Sequence, residues 1–202
     1  MVRRWLSRLV VPVAKWVLEK LTTEHTVRDF RVRVQNSEPG VETEQVLARL
    51  GEAIDLIATY QPIRLAHLRR DISHFTIRRY AARGAYWGDE RAVLTELTFL
   101  ARRDIGAAVV ASSVLHEGVH ARIHQMARKR AFHDPAREER ICRRAELAFG
   151  RALPQELGAP VIARAEEALE LRDDDIAPRF SEAEGWAAVR SADEAKRRAR
   201  AV

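Results

Sequence analysis

An α+β fold, in which a small and mostly antiparallel sheet is followed by a helical half, is predicted by three observations. Strand-like alternation is confined to residues before position 100. From Asp104 onward the apolar residues recur at helical spacing, and Pro and Gly positions cut that second half into three or four helices. With 202 residues, 47% of them hydrophobic and 32% charged, and with 9 Gly and 7 Pro, the chain can bury a sizeable core, and one domain over 1–202 is the economical expectation. The same composition excludes disordered, collagenous and low-complexity classes.

Residues 1–23 are expected to form an amphipathic helix, with Trp5, Leu9, Val13, Trp16 and Leu21 near one face and Arg8, Lys15 and Lys20 interrupting any apolar run. Spanning a bilayer takes about 20 largely apolar residues, and a cleavable signal needs an apolar stretch of about 7–15 with a small-residue site; neither is present. The helix is expected to dock on its own domain, with weak membrane-surface contact through its tryptophans and basic flanks as the alternative. Phe30, Val32 and Val34 then alternate with Arg31, Arg33 and Gln35 as a half-buried strand, ended by Asn36-Ser37-Glu38-Pro39-Gly40. Leu47, Leu50, Ile54, Leu56 and Ile57 recur as a helix that Pro62 should stop. Strand texture follows in Phe75, Ile77 and, less regularly, Tyr80, then in Tyr86 and Trp87 between Gly84 and Gly88, and in the run from Val93 to Phe99. Breaks at His133-Asp134-Pro135, at Pro154, from Asp173 to Pro178 and at Gly185 divide the later helices. Residues 181–202 make a basic helical tail.

Charge and cysteine usage narrow the function classes. The net charge of +6 is spread along the chain, is carried almost entirely by arginine and accompanies no groove-reading motif, so no specific nucleic-acid partner is expected. A lone cysteine, Cys142, forms no intrachain disulfide, and a cytoplasmic location follows as the default. Asp173-Asp174-Asp175 lacks the alternating oxygen spacing of a calcium loop.

One segment carries chemistry. His116-Glu117-Gly118-Val119-His120 lies inside the long periodic run that begins at Asp104, with Val109, Val110, Val114 and Leu115 before it and Val119, Ile123 and Met126 continuing an expected buried face. Residues four apart on a helix lie about 40° apart in angle and about 6 Å apart along the axis, so His116 and His120 can converge on one zinc ion. Glu117, about 100° round the helix, is placed to act on a water at that ion as general base. Such a site wants a third protein ligand and an open fourth position. His124 sits another 6 Å or so along the axis, too far to join, and is either a support or merely structural. The third ligand is expected on the next helix, which Asp134 caps and Pro135 opens. There Glu139 and Glu146 lie in line on one flank beside Cys142, while Glu138 falls nearer the side formed by Ile141, Ala145 and Ala148; all three glutamates are candidates, with Glu139 preferred. Their ordinary alternative is surface pairing with nearby arginines.

His-Glu-x-x-His followed by a glutamate on the next helix resembles the gluzincin group of zinc metallopeptidases, and the eighteen residues between His120 and Glu139 are similar to the aminopeptidase N spacing. His-Glu-x-x-His-x-x-x-His with a glutamate-rich helix ending Leu153-Pro154 also looks like the compact ImmA-type metallopeptidases that cleave repressors. The likeness covers residues 94–154. It implies zinc held by His116, His120 and Glu139, Glu117 as general base, and a peptide or protein substrate. The sequence departs from these patterns at Arg143, where many gluzincins place an aspartate, and at Ile141-Cys142. By the same resemblance a sheet edge near the metal helix, expected in the 93–99 run, would hold an extended peptide. Tyr80, Tyr86 and His74 are candidates for stabilising a developing oxyanion. The alternative to an enzyme is a non-catalytic zinc-binding interaction protein in which the metal only fixes two helices.

Overall fold

In the computed structural model, residues 22–127 and 134–177 are described, together with 186, 187 and 191. The expected N-terminal helix up to position 21, all of the basic tail but those three residues, and the break at Gly185 lie outside the described residues. Thr23, expected to end that helix, instead opens a strand. The described chain runs β1 (Thr23–Val27), β2 (Phe30–Gln35), α1 (Thr43–Tyr60), α2 (Pro62–Asp71), β3 (His74–Arg78), β4 (Gly84–Trp87), β5 (Ala92–Glu96), α3 (Leu97–Ala101), α4 (Ala107–Ala127), α5 (Pro135–Ala152), α6 (Gln155–Leu169) and α7 (Asp173–Ile176). This is the α+β arrangement expected, a five-stranded sheet followed by helices.

The sheet is mixed rather than mostly antiparallel. Its order is β1-β2-β3-β5-β4, with the two outer pairs antiparallel and β2–β3 and β3–β5 parallel. Two features of the chain cause this. The helices α1 and α2 form a crossover between β2 and β3, which brings the chain back in the same direction. After β3 the chain passes to the sheet edge as β4 and folds back as β5 between β3 and β4. All five residues of β5 are buried, as an internal strand requires, whereas those of β4 are half-buried.

Two local expectations change for physical reasons, and one turn was not foreseen. Pro62 ends α1 and also opens α2, since a proline's missing N–H costs nothing in the first turn. The run from Val93 to Phe99 is a strand only as far as Glu96. There the Glu96 carboxylate accepts hydrogen bonds at 2.7 Å from the Phe99 N–H and the Thr98 hydroxyl, capping α3, while Arg79 Nε balances its charge at 3.1 Å. The β1–β2 hairpin turns on Arg28 and Asp29, with φ of 49° and 69°, a two-residue turn of the kind usually marked by Asn-Gly.

Helix α4 is the centre of the molecule. It packs against α1, α2, α5, α6, β4 and β5, and is therefore apolar on several sides rather than along one stripe. Val110, Ala111, Val114, Leu115 and Ala121 join the main core with Leu50, Ile54, Ile57, Phe75 and Phe149. Gly118, in the middle of the motif, makes room for α2, because a Cβ there would stand 2.7 Å from Leu68 Cδ1. Met126 does not extend the buried face and is 62% exposed. On α5 the buried side is Cys142, Ala145, Glu146, Phe149 and Gly150, so Ile141 and Ala148 point away from the core instead of forming it.

The α5–α6 contact depends on glycine at two facing positions. A Cβ at Gly158 would collide with the Gly150 carbonyl oxygen, and this backbone neighbour cannot swing aside. Gly158→Ala is expected to destabilise the fold by about 2 kcal/mol, lowering the melting temperature by roughly 4–8 °C, with a thermal melt as the check. No helix among the described residues is long and apolar enough to cross a membrane.

Candidate metal centre

α4 and α5 lie antiparallel, so that His120 faces the start of α5 and His116 its middle. The Asp134 side chain accepts from the Arg137 N–H at 3.1 Å and Pro135 takes the first helical position, which fixes where α5 begins and hence the height of Glu139. The result is a triangle of donors. His116 Nε2 and His120 Nε2 are 3.2 Å apart, Glu139 Oε1 is 3.1 Å from His120 Nε2, and Glu139 Oε2 is 3.3 Å from His116 Nε2. Tetrahedral zinc with ligands at about 2.0–2.1 Å has ligand–ligand separations of about 3.3 Å. The three groups thus fit a metal of that size.

Glu146 completes the support for His116. It is wholly buried, and its Oε1 lies 2.6 Å from His116 Nδ1, the arrangement in which a carboxylate fixes the tautomer of a ligating imidazole and leaves Nε2 free for a metal. Arg143 Nη1 donates to the same Oε1 at 2.8 Å, and Arg164 Nη2 stands 3.5 Å from Oε2. Of the three candidate glutamates, then, Glu139 reaches both histidines, Glu146 stands behind one of them, and Glu138 lines the rim of the cleft. The departure at Arg143 is explained by the same network, because the supporting carboxylate is supplied one turn further along, at Glu146.

Among themselves, the imidazoles and carboxylates set one another's charge. Burial alone would push the His116 imidazole down, but Glu139 and Glu146 outweigh it and hold it up at about 9. Burial pushes Glu139 up, yet the two histidines hold it well below the usual carboxylate range. Glu146 likewise stays low against burial, through His116 and then Arg143 and Arg164. Glu117 goes the other way: burial raises its carboxyl, with His116 and His120 opposing, and among the described residues it has no hydrogen-bond partner. A carboxylate raised in this way is suited to taking up and giving back a proton.

Cys142 also comes close. A set of donor atoms from His116, His120 and Cys142 lies within 4.8 Å of one another. Its thiol is fully buried, and burial, then the charges of Glu139, Glu117 and Glu146, push it far up, so that it is held as a neutral thiol beside a carboxylate that already reaches both imidazoles.

These residues open onto a cleft of about 710 Å³, within the usual range for ligand sites. One wall is β4, the edge strand; β5, expected from the 93–99 run to offer an edge, is internal. β4 approaches α4 through glycine. A Cβ at Gly84 would lie 3.1 Å from Glu117 Oε1, and one at Gly88 would lie 2.8 Å from His124 Nε2. His124 packs edge-on against Tyr86 at 5.6 Å between ring centroids, and so supports the strand rather than the triangle. Tyr80 and Tyr86 line the cleft, and the Tyr86 hydroxyl is buried without a hydrogen-bond partner. His74 does not belong to the site; it is buried in β3 beside Ser73, 2.8 Å away. Asp173 pairs with Arg140 at 2.7 Å and opens the one-turn α7, where a loop was expected. Arg143 and Arg164 were not anticipated as site residues. The signal for Arg143 is its i, i+3 spacing to Glu146, which gains meaning only once α5 is known to face α4; Arg164, on α6, reaches Glu146 only through the packing of α6 on α5.

No family model, curated protein or solved structure matches the chain.

Proposed function

We propose that the chain is a zinc-dependent metallopeptidase acting on a peptide or protein, in the cytoplasm, with His116, His120 and Glu139 as the metal ligands and Glu117 as the general base. The observation that carries this reading is the 3.1–3.3 Å triangle of His116, His120 and Glu139 beside the Glu117 carboxylate on a cleft wall. A zinc ion held there supplies Lewis acidity to a carbonyl and makes water a nucleophile near neutral pH. Glu117 takes the proton of the attacking water and delivers it to the departing nitrogen, one carboxylate serving as base and then as acid. Glu146 at His116 Nδ1 would keep that imidazole in the required tautomer, and Gly84 leaves room for the Glu117 carboxylate beside the strand.

A second reading, a closed structural site with Cys142 as a fourth ligand, draws on the 4.8 Å grouping with the two histidines. Metal analysis tests both. Protein purified without a His-tag or added metal is expected to hold close to one zinc per chain, and His116→Ala/His120→Ala none. Cys142→Ala is expected to keep the metal, and chelation to leave the domain folded, as open catalytic sites allow. Zinc-free native protein that fails to reconstitute would overturn the proposal, and loss of zinc in Cys142→Ala would favour the structural reading.

A further inference from the structure

We propose that the arginine end of the cleft binds a carboxylate of the substrate, on the C-terminal side of the bond to be cleaved. This rests on the peptidase reading and names its substrate class. Arg83, Arg143 and Arg164 all line the cleft. Arg143 and Arg164 share Glu146 as their carboxylate, and Glu146 is already committed to His116. Arg83, just before β4, has its guanidinium 5.8 Å from the Phe99 ring centroid and is exposed. Two guanidiniums thus share one engaged carboxylate with a third on the same cleft wall, and among the described residues Arg143 Nε and Arg164 Nη1 are buried without a hydrogen-bond partner. Burial holds the Arg164 guanidinium below its usual range, and Arg83 and Arg143 add to that against Glu146. An anionic ligand relieves both the unmet N–H groups and the repulsion, and a carboxylate matches the guanidinium fork.

The direction follows from β4. Gly84 lies beside Glu117 and Gly88 beside His124, so the strand runs in the same sense as α4, with Arg83 and Ser113 at one end of the cleft and His124 at the other. A peptide added antiparallel to this edge runs its C-terminal direction toward Arg83. His116 Nδ1 is 2.6 Å from Glu146 Oε1 and that oxygen 2.8 Å from Arg143 Nη1, so the far nitrogen of the ring lies within about 8 Å of the guanidinium, a span of roughly two to three extended residues. The carboxylate is therefore a chain terminus or an Asp or Glu side chain within about three residues of the scissile bond.

The test uses zinc-loaded Glu117→Gln to retain peptides, with three random octapeptide libraries. The first has free C-termini and no Asp or Glu; the second is C-terminally amidated with Asp and Glu allowed; the third is amidated without them. The third is expected to be retained at least about tenfold more weakly than the better of the other two, and the winner identifies terminus or side chain. Arg83→Gln is expected to reduce that retention about fivefold with zinc content unchanged. Equal retention of all three libraries, or of none, overturns the proposal. Cleavage by the native chain, read on the same libraries, separates the two readings. Cleavage of the third library as fast as the others overturns the carboxylate site alone. Carboxylate-dependent retention with no zinc and no cleavage supports the arginine site and removes the peptidase.

Discussion

Glu117→Gln is expected to lower peptide hydrolysis by about 10²–10⁴-fold, the usual range for removing a general base, while zinc content and melting temperature stay close to the native values. The substitution keeps the shape of a side chain that lies against Gly84 and takes away only its capacity to accept a proton. Because Glu117 is not one of the three groups in the donor triangle, metal binding should survive. Turnover assays beside metal analysis check both halves, and retained turnover would remove Glu117 from the mechanism.

Glu146→Gln is expected to destabilise the domain by about 3–5 kcal/mol and to weaken zinc binding by about 10–100-fold. The amide leaves Arg143 and Arg164 facing one another without a full countercharge in a buried site, and it no longer fixes His116 Nδ1 as a carboxylate does. The melting temperature should fall by roughly 6–20 °C. The triple change Glu146→Leu/Arg143→Leu/Arg164→Leu separates the two effects. Removing the whole ionic group should restore most of the stability, since buried ion pairs are often replaced by apolar side chains at little cost, yet the zinc affinity should stay low. Native-like melting and zinc binding in Glu146→Gln would show that the network supports neither fold nor metal.

What could be read directly from the sequence was whatever depends on one helix at a time. His116, Glu117 and His120 were legible because four-residue spacing places groups on one face wherever the helix packs. Asp134 and Pro135 marked the start of α5 because capping is local. The choice among Glu138, Glu139 and Glu146 was open because it depends on how α5 sits against α4. The buried face of α5 turned out to follow Cys142, Glu146 and Phe149 rather than Ile141 and Ala148, because a glutamate held by His116 and two arginines takes a place that an apolar pattern would not assign to it. The mixed sheet was illegible for the same reason: nothing local in residues 84–96 says that the later strand will insert inside the earlier one. The switch at Glu96 was hidden because a capping carboxylate interrupts an otherwise β-rich run.

The helix that carries the two histidines and Glu117 is also the one around which the core is assembled. On the peptidase reading, chemistry and stability therefore share one set of positions, and a change on α4 that altered the reaction would disturb the packing of four neighbouring helices. Selectivity is under no such constraint. Arg83, just before the edge strand, is exposed and lines the cleft without belonging to the core around the metal helix. On that reading new ligand preferences can arise at the rim, by exchange of exposed side chains, while the two histidines and Glu117 stay locked in place by the fold itself.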